Sequence, residues 1–153
     1  MHDIDIIMQL INWDRSPSEQ QKGILLARDV NCLKAFFQPS GPGYHKNVWE
    51  NCAKIVCVRP DYELQPYILD MLLWIQDLNW PGAMAILYRL KEFSEAKVLA
   101  KLIESMLPAL VAVEEYTWLE NISELLENQS LKEVLSDSAA RVLTDISMII
   151  SEC

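Results

Sequence analysis

Apolar residues recur every three or four positions along almost the whole of this chain. That period admits little besides helices that each bury one face. Strict alternation is nearly absent and β-branched residues are scattered, so a sheet protein is excluded at the outset.

The helices come with punctuation. Ile4, Ile7, Leu10 and Ile11 share one face of a first short helix. Ser16-Pro17-Ser18-Glu19 has the form of a capping box with proline at the first helical position, and Ile24, Ala27 and Val30 follow towards the core. Pro39-Ser40-Gly41-Pro42-Gly43 is a loop. Asn47-Val48-Trp49-Glu50 reads as a second capping box, opening a helix that buries Val48, Trp49, Cys52, Ile55 and Val56. Arg59-Pro60 ends it, and Asp61 is placed to cap a helix with Leu64, Ile68, Leu72 and Ile75 inward, Pro66 closing its first turn. Asn79 is placed to cap a helix starting Trp80-Pro81, with Met84, Leu87 and Leu90 inward. Ser94 is placed to cap a longer one through Val98, Leu102, Met106, Leu107 and Leu110, bent at Pro108. The spacing predicts a helix from Tyr116 to Glu127 with Trp118, Ile122 and Leu125 inward. Ser130-Leu131-Lys132-Glu133 is a third capping box, and a break falls near Ser136-Asp137-Ser138 before a last helix to Ile150.

That makes about eight helices joined by short turns, which implies antiparallel neighbours. The expected fold is all-α: a HEAT- or armadillo-like α-solenoid of antiparallel helix pairs with a period of about 35 to 45 residues, or an irregular helical bundle. At 153 residues the chain suits a single helical domain, 1–153, with a core large enough to need neither disulfide nor metal. The longest apolar run, Met106 to Val113, is far short of a membrane span and contains Pro108. The opening Met1-His2-Asp3-Ile4-Asp5 is acidic where a signal peptide is basic, so a cytoplasmic location is expected. Cys32, Cys52, Cys57 and Cys153 lack zinc-site spacing and are expected to be reduced and mostly buried.

Two segments carry a resemblance. Val48-Trp49-Glu50-Asn51-Cys52-Ala53 and Trp74-Ile75-Gln76-Asp77-Leu78-Asn79-Trp80-Pro81-Gly82-Ala83 together resemble small bacterial HEAT-like proteins of unassigned function with a W-x-Q-D-x-N-W-P core. The resemblance covers roughly Ile11 to Leu90. It implies immunity proteins of bacterial toxin–immunity systems, contact-dependent growth inhibition among them. Bottom-up, the motif is structural: Asn79 as a cap, Pro81 as a helix entry, and Trp74 and Trp80 as apolar cover over the turn. The alternative is a ligand or partner role for Gln76, Asp77 or Trp80.

Chemistry is sparse. No nucleophile elbow, P-loop, dinucleotide fingerprint or zincin motif occurs. His2 sits at the terminus, and His45 lies between Tyr44 and Lys46 beside the Pro/Gly loop. That trio is the one arrangement that could support acid–base work on RNA, against the plainer reading of an exposed loop histidine. Glu114 and Glu115 are adjacent and so point about 100° apart on a helix, which suits solvated surface better than a glycosidase pair. No catalytic residue, cofactor or metal is expected.

Charge is the stronger guide. Residues 1–101 hold 12 acids and 11 bases, whereas residues 102–153 hold 10 acids and 2 bases. Glu104, Glu114, Glu115, Glu120, Glu124 and Glu127 follow one another with no Lys or Arg among them. Glu120, Glu124 and Glu127 fall on one stripe of a helix, where like charges repel by a few tenths of a kcal/mol per pair. An acidic chain does not suit direct nucleic-acid binding. Such a face is either solvated for solubility or docks a basic protein. With the resemblance, the expectation is a non-catalytic immunity protein neutralising a basic toxin domain, a nuclease, whose RNA- or DNA-binding groove carboxylates can cover. The expected contact residues are Glu114, Glu115, Tyr116, Trp118, Glu120, Glu124 and Glu127. No membrane and no small-molecule substrate is expected. The alternative is a helical adaptor or regulatory module.

Overall fold

A computed structural model describes residues 3–151. It is all-α, with no named strand among the described residues and one isolated bridge, Gly41 to Tyr44, in the Pro/Gly loop. The helices are α1 (Ile4–Leu10), α2 (Pro17–Ala27), α3 (Lys46–Cys57), α4 (Asp61–Leu64), α5 (Ile68–Trp74), α6 (Ala83–Lys91), α7 (Lys97–Ala112), α8 (Tyr116–Ser123), α9 (Gln129–Val134) and α10 (Asp137–Ser151). Three 3-10 turns add Leu33–Phe36, Gln65–Tyr67 and Glu124–Glu127. Helix α1 packs on α2, α3 on α6, and α8 on α10, and one apolar core runs from Ile7 to Ile146. Among the described residues no helix is long and apolar enough to cross a membrane.

Local chemistry accounts for several boundaries. Ser16 Oγ accepts the Glu19 N–H at 3.2 Å and donates to the Glu19 carboxylate at 3.0 Å, with Pro17 at the first position of α2. Ser136 Oγ accepts the Ala139 N–H, so the expected break precedes α10. The apolar positions read from α3, Val48, Trp49, Cys52, Ile55 and Val56, are all buried, as are Leu64, Ile68, Leu72 and Ile75.

Other expected caps are displaced by partners distant in sequence. Asn47 lies inside α3, and its Oδ1 accepts the His45 N–H at 2.5 Å. No side chain caps α6, which starts at Ala83 behind Gly82, so Asn79 is not its cap. Asp61 and Ser94 cap no helix but bond to each other: Ser94 donates from N and Oγ to Asp61 at 3.0 and 2.8 Å. Helix α9 is capped by Asn128, upstream of Ser130. Met84 and Val98 are exposed, and Ile86 and Leu99 take the inward places instead.

A recurrent device ties the helices together. The last carbonyls of a helix have no intrahelical partner. Here they are met by side chains 30 to 46 residues further on. Buried Asn51 donates to Ile11 O at 2.7 Å, at the end of α1. Arg59 Nη2 donates to the Ala27 and Arg28 carbonyls at the end of α2, and also, over 29 residues, to Val30 O in the loop beyond. Arg89 donates to Arg59 O beyond α3, Asn121 to Ile75 O after α5, and Asn128 to Leu90 and Phe93 carbonyls after α6. The arginines add a cation to the negative end of the helix dipole.

Candidate functional site

Two places qualify by sequence, the tryptophan motif and the acidic stretch, and the structure treats them differently. Around the motif, Trp74 is fully buried and donates from Nε1 to Pro81 O at 3.0 Å. Trp49, 6% exposed, donates to Pro39 O at 2.9 Å and packs edge-on against Trp74 and Trp80 at 6.3 and 5.9 Å. Glu50 accepts the Gly82 N–H at 2.8 Å, Asp77 the Asn79 N–H at 2.8 Å, and Gln76 donates to Leu73 O. Gly82 has φ +82°, and a Cβ there would lie 2.7 Å from the Ala53 Cβ and 2.9 Å from Trp49 O. These polar groups are bonded within the motif itself, to α5 and to the loop before α3. His45, exposed at the start of α3, stacks on Trp49 with ring centres 5.1 Å apart.

The acidic stretch is split by the fold. Helix α7 turns into α8 through Val113, Glu114 and Glu115, with Glu114 at φ +59°. That left-handed conformation costs a residue with a Cβ about 1 kcal/mol or more. The turn closes on the helix end: the N–H groups of Glu114 and Glu115 donate to Val111 and Leu110 carbonyls at 3.2 and 3.0 Å. The result is a knuckle. Val113 is 66% exposed, Tyr116 51% and Val111 43%, with exposed Glu114 and Glu115 between them.

The remaining contact residues predicted from sequence lie elsewhere. Trp118 is half-buried and donates to Leu72 O at 2.9 Å, fastening α8 to α5. Glu120 is half-buried, and its carbonyl accepts the Ser123 hydroxyl at 2.6 Å. The helical stripe does not hold, because α8 ends at Ser123 and Glu124–Glu127 is a 3-10 turn. Nor is it uncompensated. Lys91, from α6, lies 3.0 Å from Glu127 and 3.6 Å from Glu124. Burial pushes the Lys91 ammonium pKa down, but the two carboxylates outweigh it and hold it above the ordinary lysine value. Glu104 accepts the Ser136 N–H at 2.7 Å. Lys91 was invisible from the local sequence because it stands 33 residues before Glu124 along the chain.

The cysteines offer no reactive thiol in the interior. Burial raises the Cys52 thiol far above its usual pKa. Burial, helped by Glu92, raises Cys57 to about 11 against the opposing pull of Arg89. The expectation of mostly buried thiols fails at Cys32, which is exposed. Cys153 and His2 lie outside the described residues. Among the described residues no group of three His, Cys, Asp or Glu side chains could hold a metal ion.

Comparison with known proteins places the chain in a family. No curated protein and no solved structure matches it. One family model, described as a domain of unknown function (DUF5071), matches residues 45–151. The match starts at the beginning of α3 and takes in the tryptophan motif, the knuckle and α10. It covers well over half of the 153 residues, and the chain therefore belongs to the DUF5071 family.

Proposed function

We propose that this chain is a non-catalytic, HEAT-like immunity protein of the bacterial cytoplasm that binds and neutralises a basic toxin domain, a nuclease, as in contact-dependent growth inhibition. The carrying observation is the α7–α8 knuckle: two exposed carboxylates set among exposed Val111, Val113 and Tyr116. Charge complementarity speeds encounter with a cationic groove, while desolvated aromatic and aliphatic anchors supply the affinity. Glu124 and Glu127, already compensated by Lys91, contribute less than Glu114 and Glu115. The carbonyl bonds recurring at 30 to 46 residues support the repeat reading, since each helix pair then closes the ends of an earlier one.

The test is surface plasmon resonance with a catalytically silenced basic nuclease domain encoded beside this chain's gene, at two salt concentrations. Replacing Glu114 and Glu115 by Lys together with Tyr116→Ala should weaken binding by about 2 kcal/mol, roughly thirtyfold, and abolish protection of cells expressing the toxin. Equal affinity and equal survival for wild type and this variant would overturn the reading.

A further inference from the structure

Helix α7 carries opposite charge at its two ends on one exposed side. Lys97, Val98, Lys101, Ser105, Pro108 and Ala112 are all exposed and share one face at the helical period. At its start, Lys97, Val98, Ala100, Lys101 and Glu104 line a groove of about 250 Å³ against Val134 at the end of α9. About 24 Å further on, by the helical rise, the face runs into the knuckle with Val113, Glu114, Glu115 and Tyr116. The groove is concave and apolar and carries two lysines against one carboxylate, Glu104, which already accepts the Ser136 N–H, while the knuckle is convex, apolar and anionic. Neither Lys97 and Lys101 nor Glu114 and Glu115 are in an ion pair among the described residues. Between the two ends the face is small-sided, so nothing bulky holds a second helix away. A two-fold axis across the middle of α7 reverses its direction, and brings Lys97 and Lys101 of each copy to Glu114 and Glu115 of the other.

We propose that two copies of this chain pair through antiparallel α7 helices, the knuckle of each seated in the α7–α9 groove of the other, with Glu114 and Glu115 against Lys97 and Lys101. The groove alone would accept any anionic, apolar protrusion. Its complement at the other end of the same helix face selects a second copy. The pairing goes beyond the toxin-binding reading and uses the same knuckle, so a basic partner has to displace the second copy to bind.

Sedimentation equilibrium of the full chain tests this. Wild type should run at twice the chain mass of 17.6 kDa at low salt and fall towards the single-chain mass at 1 M salt, where the Debye length is about 3 Å. Replacing Lys97 and Lys101 by Glu should give the single-chain mass, and so should replacing Glu114 and Glu115 by Lys. Mixing the two variants should restore the double mass, because each then offers the other only opposite charges. A misfolded variant could not produce that rescue. Wild type at 17.6 kDa at every concentration, variants that stay paired, or a mixture that stays single would each overturn the proposal. The Lys97→Glu, Lys101→Glu variant should still bind the toxin domain, so loss of pairing and loss of the immunity reading are separate results.

Discussion

Gly82 and Glu114 are both left-handed turn residues, and the two turns use that conformation in opposite ways. At Gly82 the left-handed backbone is matched by a lack of room for any side chain: Ala53 Cβ and Trp49 O of α3 lie 2.7 and 2.9 Å from where a Cβ would stand. At Glu114 the residue is left-handed in the open, carrying a side chain at a conformational cost with exposed neighbours on either side. The first turn ties the Trp74 indole, Gln76, Asp77 and Glu50 into the fold. The second leaves two carboxylates and three apolar side chains facing outward. The most conspicuous stretch of the sequence therefore packs into the structure, and an outward-facing acidic and apolar turn lies in a stretch with no recognisable motif.

The sharpest way to break this comparison is to add a Cβ at the first turn and remove one at the second. Gly82→Ala should cost about 3 kcal/mol, from backbone overlap with Trp49 and Ala53 together with the left-handed φ, and lower the thermal midpoint by roughly 10 °C. A midpoint within a degree or two of wild type would show that the close approach relaxes freely and that the motif is not the rigid half.

An intermediate effect is expected at Asp61, where the chain holds charge inside a structural network. Burial pushes the Asp61 carboxyl up, but the Ser94 N–H, the Arg89 guanidinium at 2.6 Å and the Ser94 hydroxyl outweigh it, and its pKa lies below the ordinary aspartate value. A depressed folded-state pKa stabilises the protein above the unfolded-state pKa, and this contribution disappears as pH falls through the folded-state value. Solvent still reaches the pair, which limits the effect to about 1 kcal/mol. Asp61→Asn should lower the urea midpoint at pH 7 and converge with wild type towards pH 2. A deficit independent of pH would assign Asp61 a packing role instead.

The smallest expected effect has the opposite sign. Glu114→Gly removes the Cβ from a left-handed position with open surroundings, and should leave stability unchanged or raise it by roughly 0.5 kcal/mol, the relief of strain exceeding the added freedom of the unfolded chain. A clear loss in guanidinium unfolding would mean that the knuckle is packed and not presented.

What could be read from the residues alone followed the range of the interactions. Ser16 with Glu19, the inward faces of α3 and α5, and the break at Ser136 depend on neighbours within one or two turns, and those readings hold. Asp61, Asn79 and Ser94 each have the composition of a cap, but Asp61 and Ser94 bond to each other 33 residues apart, and the helix after Asn79 starts later, behind Gly82. Asn51, Asn121 and Asn128 look unremarkable in sequence because the carbonyls they meet lie on an earlier helix. The acidic stretch was legible as charge, yet its division into a compensated half and an open half required Lys91 from α6. Tyr116, Glu114 and Glu115 were found by charge, while Val111 and Val113 were not, since an apolar residue near a helix end gives no sign of which way it faces.

The long-range carbonyl bonds also set an order of events during synthesis. Each of these helix ends stays open to water until a donor 30 to 46 residues later has left the ribosome. At about 5 to 20 residues per second that delay is roughly 2 to 9 seconds. The nascent chain thus carries an unfinished end that moves along with translation, sealed behind and exposed in front. Asn128 performs the last of these closures, on α6, so a chain released before α9 would retain an unsealed α6 terminus however well its earlier helices had packed.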